Sequence, residues 1–185
     1  MACAEHVSLI KKGAAIWNQW RKDNPGVQPD LYAANLKGLI CTGMDLSRAL
    51  LSVAILNKAN FSGANLRQAN LSSANLTEAV LSRALLQGAD CRGTNLSRVD
   101  LCGAVLTDVD LRSALLVGAN FRETDLRGAN LSSTLLQMAQ NLELTQLASA
   151  RTLWLAELGE RMDMVRQDCP HLLERPFKGC RSSSF

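Results

Sequence analysis

Apolar and polar positions recur along this chain with a period of five. From Asp30 the sequence divides into DLYAA, NLKGL, ICTGM, DLSRA, LLSVA, ILNKA, NFSGA, NLRQA, NLSSA and NLTEA, and the division holds without insertion to Met138. The second residue of each five is taken as its centre. Centres fall every five positions from Leu31 to Leu136, which makes 22 units, of which 18 have Leu, two Phe (Phe61, Phe121) and two Cys (Cys41, Cys91) at the centre. Two residues before the centre stands Ala in 14 of the 22, with Leu39, Met44, Thr94, Val99, Val109, Thr124 and Thr134 among the exceptions. Immediately before the centre, 14 of 22 are Asn or Asp. A period of five matches neither a helix, at about 3.6, nor a strand, at about 2. It predicts a solenoid in which each unit is one short side of a coil. The centre and the small residue two before it point inward, and the other three face solvent. Leu39 before the small centre Cys41 reads as volume compensation in a close-packed interior.

These units resemble the pentapeptide-repeat family, whose pattern is A-(D/N)-L-x-x. The resemblance covers residues 29–138. It implies an all-β solenoid core: a right-handed quadrilateral β-helix with four units per coil, about 5.5 coils in a rod about 26 Å long. Residues 20 apart then stack, so Phe61 and Phe121 lie on one side, three coils apart.

The flanks have a different pattern. Val7, Ile10, Ala14 and Trp17 form a helical stripe broadened by Ile16 and Trp20, and Asn24, Pro25 and Gly26 stop it. Leu147, Ala150, Trp154, Leu158, Met162 and Val165 recur at spacings of three and four, with Glu157 and Arg161 as an i,i+4 pair and Gly159 as a place to bend or split the helix. The expected organisation is an N-terminal capping helix and linker over 1–28, the repeats over 29–138, a C-terminal capping helix over 139–169 and a loose tail over 170–185. A coil stack exposes unpaired backbone at both ends, so an α-helix capping each end is the preferred reading. The alternative is that the C-terminal helix pairs with its copy in a homodimer, as the resemblance implies for the ends of some relatives. Contacts for either role would be Leu115, Leu135, Leu147, Trp154 and Leu158. The stretch AEHVSLIKKGAAIWNQWRKDNP, Ala4 to Pro25, also resembles the leader of cyanobacterial members, which implies a bacterial origin.

Charge and chemistry narrow the function. Twenty basic against 17 acidic residues give +3, too little to call for a nucleic acid or a membrane. No uninterrupted apolar run serves as a signal peptide or a membrane span, and six cysteines that form no recognised disulfide framework fit a reduced, cytoplasmic setting. The repeats contain no His, and their nine acids are scattered over the coil, so neither an enzyme nor a cofactor is expected. No metal site is expected, since Cys169, His171 and Cys180 match no ligand spacing. Whether Cys169 and Cys180 pair stays open. Cys41 and Cys91 read as core and Cys102 as exposed. Asp90 with Arg92 and Asp110 with Arg112 stack as a neutral, solvated charge cluster with crosswise pairing.

Outward apolar residues are more informative. Ile40, Leu50, Ile55, Val80, Leu85, Val105, Leu115 and Leu135 replace the usual Asn or Asp. Leu115 and Leu135, with Val117 and Met138, would be covered by the C-terminal helix. Leu85 and Val105, fringed by Arg48, Arg67 and Arg127 on the opposite side, form the candidate protein-contact face. The function expected is a non-enzymatic protein–protein interaction or scaffold module whose partner is another protein. The alternative is a DNA-mimicking topoisomerase modulator, as the quinolone-resistance members of the family imply. Mimicry needs a strongly negative rod, whereas the repeats hold ten bases against nine acids. Those bases spread over all four sides without an aromatic platform, which argues against nucleic-acid binding.

Overall fold

The structure is a computed structural model and describes residues 2–174. Each five-residue unit closes a tight turn. The centre's carbonyl accepts the N–H three residues on, as Leu31 does from Ala34 at 3.0 Å. The residue two after the centre is left-handed in all 22 units, with φ between 54° and 70°. Those two features define a type II turn. Eight of the 22 positions are Gly, as at Gly43, and 14 carry a side chain. Left-handed backbone costs such residues about 1–2 kcal/mol each, so the corners are held by the ladders and not by local preference.

Those ladders are single-residue parallel bridges between positions 20 apart, beginning at Asp30 with Leu50 and reaching Asn120 with Gln140. Four sides result, with centres at 31, 36, 41 and 46 in the first coil and every 20 residues thereafter; they are numbered one to four in that order. On side one, Leu31 N–H donates to Leu50 O (2.8 Å), Leu50 N–H to Pro29 O (2.8 Å) and Ala33 N–H to Ser52 O (2.9 Å). The other sides repeat the scheme. One N–H per unit, that of the residue after the centre, finds no backbone acceptor. In all 14 units with Asn or Asp before the centre, that side chain's Oδ1 accepts it. The Asn/Asp preference is therefore a backbone requirement. At Asn75, Oδ1 takes both Thr77 N–H (3.0 Å) and Thr77 Oγ1–H (2.8 Å). We expect Asn75→Ala to lower stability in urea unfolding by about 1 kcal/mol. Asn75→Asp, which keeps the acceptor, should lie within about 0.5 kcal/mol of the parent.

The core is the axis of this tube. All 22 centres are at most 2 % exposed. Phe61 and Phe121 share side three with Leu81 and Leu101 between them, as the 20-residue register requires. Inward threonines are satisfied by backbone: Thr94 Oγ1–H donates to Leu71 O at 2.9 Å and Thr124 Oγ1–H to Leu101 O at 2.9 Å. One expectation needs correcting. Most residues before the centre are half-buried instead of facing solvent, because stacked neighbours cover one another, as where Asn65 Nδ2–H donates to Asp45 Oδ1 at 2.9 Å. Cys102, expected to be exposed, is half-buried. Leu39 is also only half-buried, whereas Cys41 is fully buried.

The N-terminal flank is two helices, α1 (Ala4–Lys11) and α2 (Ala14–Asp23), where one was expected. The chain breaks at Gly13, whose φ of 98° suits glycine. Ile10 and Trp17 are fully buried, Trp20 packs at 5.1 Å from Trp17, and Ile16, placed on the stripe from sequence, is 47 % exposed. The helices bond to the open end of the first coil. Trp17 Nε1–H donates to Asp45 O (2.8 Å), Asp45 N–H to Asn18 Oδ1 (2.8 Å), Asp30 N–H to His6 Nδ1 (3.0 Å) and Cys3 N–H to Asp30 O (3.2 Å).

The C-terminal flank departs further from expectation. A single helix over 139–169 does not form. Helix α3 (Leu144–Ser149) takes the place of sides three and four, and Gln146 Nε2–H caps Phe121 O (2.8 Å) and Thr124 O (2.9 Å). Two more repeat-like units follow: Thr152 bridges Asn130 and Glu157 bridges Leu135, each 22 residues apart because α3 adds two residues to the turn. Thr152 Oγ1 accepts Trp154 N–H at 3.1 Å, the role Asn or Asp fills elsewhere. A 3-10 turn (Gly159–Arg161) leads to α4 (Met162–Asp168). Glu157 and Arg161 are thus not a pair on one helix: Glu157 accepts from Gln137, and Arg161 donates to Leu142 O (3.2 Å) and Ala139 O (3.0 Å). Of the segment expected to be a loose tail, Pro170–Leu173 forms a 3-10 turn whose Leu172 is buried, and Leu153 N–H donates to Leu172 O at 2.6 Å.

Candidate functional site

Side four gathers the residues expected to form a contact face. Leu85 and Val105 bridge each other and are half-buried. Arg127 holds Asp125 bidentately, Nε–H to Oδ1 at 2.9 Å and Nη2–H to Oδ2 at 2.6 Å, which draws the Asp125 carboxyl below its usual range. Arg67 leans on Asn65 at 3.4 Å, and Arg48 is exposed with no ion pair among the described residues. The face therefore presents a small apolar step with two cations, Arg48 and Arg67, that no carboxylate among the described residues neutralises.

The C-terminal set is brought together differently from its expected helical stripe. Leu115 and Leu135 bridge on side two and are half-buried. Leu147 is buried in α3, Leu158 is buried at the centre of an added unit, and Trp154 is half-buried beside the centre Leu153. Met138, expected beneath a covering helix, is instead 80 % exposed.

The tightest charge pairs form within units. Arg92 is bidentate to Asp90 (2.8 and 2.6 Å) and Arg112 to Asp110, while the expected crosswise contact, Arg92 to Asp110, is a looser 3.9 Å. The Asp90 carboxyl is lowered chiefly by its bond to Arg92. Side two carries a ladder that the sequence reading passed over: Glu78 lies between Lys58 (3.5 Å) and Arg98 (3.7 Å). Its signal was the 20-residue spacing of the three positions.

Burial pushes the Cys41 thiol up to about 12 and raises Cys91 as well. Both should stay unmodified by a thiol reagent at neutral pH until the rod unfolds, while half-buried Cys102 reacts before either of them. Mass mapping after brief alkylation checks this order. Among the described residues no group of three potential metal ligands occurs, and Cys180 lies outside them. Cavities of about 280 and 290 Å³ flank Arg161 at the C-terminal end, and Glu143 is the one carboxylate lining them among the described residues. No described helix is long and apolar enough to cross a membrane.

A pentapeptide-repeat family model matches in eight copies over residues 30–68, 64–103 and 104–137. A pentapeptide repeat protein of Nostoc PCC 7120 is 36% identical over 57% of this chain and 84% of its own, with a TM-score of 0.47. Rfr23 from the cyanobacterium Cyanothece 51142 is 26% identical over 79% of this chain and 100% of its own, with a TM-score of 0.39. A third solved structure, QnrB1, a plasmid-mediated fluoroquinolone resistance protein, is 15% identical over 78% of this chain and 86% of its own, with a TM-score of 0.40. A comparison with curated proteins finds no match. With more than half its length matched in unbroken five-residue register, the chain belongs to the pentapeptide-repeat family of right-handed β-helices.

Proposed function

We propose that this protein is a non-enzymatic, cytoplasmic interaction or scaffold module. Its rod of about 5.5 regular coils, extended by two further units, displays side chains at fixed spacing to another protein. The observation that carries this reading is the filled axis: every centre is at most 2 % exposed, so specificity resides in outward positions alone. On side four, Leu85 and Val105 between Arg48, Arg67 and Arg127 are the contact residues, and they suit a partner with an apolar anchor and nearby acids. Affinity capture with wild type and with Leu85→Asp/Val105→Asp tests the face. Loss of a specific partner supports it, and identical partner sets remove it. The DNA-mimicking alternative is disfavoured by the repeats' ten bases against nine acids. Dose-dependent inhibition of purified gyrase in a supercoiling assay would reverse that ranking. A homodimer through the C-terminal end would bring Leu115, Leu135 and Trp154 to the interface, and sedimentation measures it.

A further inference from the structure

The N-terminal helices cover only half of the open end of the rod. In each interior coil, every side offers three groups to the layer beneath: the N–H and C=O of the residue before the centre, and the C=O of the residue after it. The first coil therefore presents twelve such groups over four sides. On sides one and four, five of six are met: Asp30 N–H by His6, Asp30 C=O by Cys3, Asp45 N–H by Asn18, Asp45 C=O by Trp17 and Ser47 C=O by Arg21. On sides two and three none is met: Asn35 N–H and C=O, Lys37 C=O, Ile40 N–H and C=O, and Thr42 C=O have no partner among the described residues. The same edge is apolar. On side three Ile40 is 69 % exposed, and Ile55, which bridges Asn35 on side two, is 42 % exposed, whereas no large hydrophobic between residues 56 and 137 is comparably exposed. It is also basic: residues 31–44 contain Lys37 and no acid, and above them Lys58 and Arg98 share the single acid Glu78.

We propose that residues 35–42 are a strand-addition site where an extended, acidic segment of a partner polypeptide docks as one more layer of the β-helix. Backbone hydrogen bonds to Asn35 and Ile40 supply the register. An apolar side chain against Ile40 and a carboxylate near Lys37 supply selectivity. The proposal rests on the reading of the protein as an interaction module and names one surface of it.

The test uses the full chain and two blocked synthetic peptides, EVEVEVE and KVKVKVK, followed by amide hydrogen exchange in NMR. The acidic peptide should slow exchange at Asn35 and Ile40 by at least about tenfold and leave Asp30 and Asp45 unchanged. Ile40→Glu, at an exposed position without polar partners, should keep the parent melting temperature and lose at least about tenfold in peptide affinity. Unchanged exchange at both amides under millimolar EVEVEVE overturns the proposal, as does equal protection by KVKVKVK. Protection that grows with protein concentration in the absence of peptide assigns the edge to a second copy and overturns it too. A partner captured through Leu85 and Val105, with this edge unprotected, would sink the strand-addition site alone and leave the interaction-module reading standing.

Discussion

Leu76→Asp should abolish the cooperative unfolding transition of the rod at neutral pH, while Arg112→Ala leaves it within about 0.5 kcal/mol of the parent. Leu76 is fully buried at a side-two centre, between the buried Leu56 below and Leu96 above. Losing its burial removes about 1.5–3 kcal/mol, and a carboxylate stranded on the axis adds several kcal/mol more. A total of that size rivals the roughly 5–15 kcal/mol by which domains are stable at all. Each coil touches only its neighbours, so the defect also divides the stack, leaving two shorter rods with new open ends. Arg112, by contrast, is half exposed and pairs with Asp110 at the surface, where an ion pair contributes at most about 1 kcal/mol. Urea unfolding followed by circular dichroism measures both; equal midpoints would refute the inward placement of the centres.

Trp17→Ala should cost about 3–5 kcal/mol, the range for truncating a large buried ring. Trp17 is fully buried under the first coil, touches Trp20 and donates Nε1–H to Asp45 O at 2.8 Å. Its loss removes the wedge between α2 and the rod and frees the Asp45 carbonyl. The N-terminal helices should then become protease-sensitive, and the exposed end should associate with concentration in sedimentation. Trp17→Phe keeps the packing and loses only the hydrogen bond, so it should cost about 1 kcal/mol and leave the protein monodisperse to the same degree as the parent. An alanine variant with parent stability and an intact N-terminal segment would show that the helices are not held by this residue.

The C-terminal segment shows why pattern reading misled there. Leu147, Ala150, Trp154 and Leu158 are spaced by three and four, which any amphipathic helix would share. Leu153 and Leu158 are also five apart, and Ala156, Glu157 and Leu158 form a good repeat unit. Over so short a stretch both periods fit, and the two residues inserted by α3 hide the register. Long-range bridges from Thr152 to Asn130 and from Glu157 to Leu135 decide in favour of the coil. At the other flank the helical stripe identified Ile10 and Trp17 as buried, but a stripe says nothing about which side of a distant coil it will meet.

Within the repeats, the one-in-five leucines and the small residue two before them were legible in the chain, and the family resemblance added the placing of Phe61 and Phe121 on one side. A five-residue period is local and so shows in the chain, whereas the closing of four such units into one coil was implied by the resemblance and is set by the long-range bridges. The Asn/Asp preference was legible as a pattern too, although its cause, an N–H left without a backbone acceptor, needs the ladder geometry. Which edges of the stack are covered, and hence where Ile40 and its unpaired neighbours lie open, depended on how the flanking helices dock. Docking joins residues far apart in sequence, such as Trp17 with Asp45 and His6 with Asp30, so periodicity carries no trace of it.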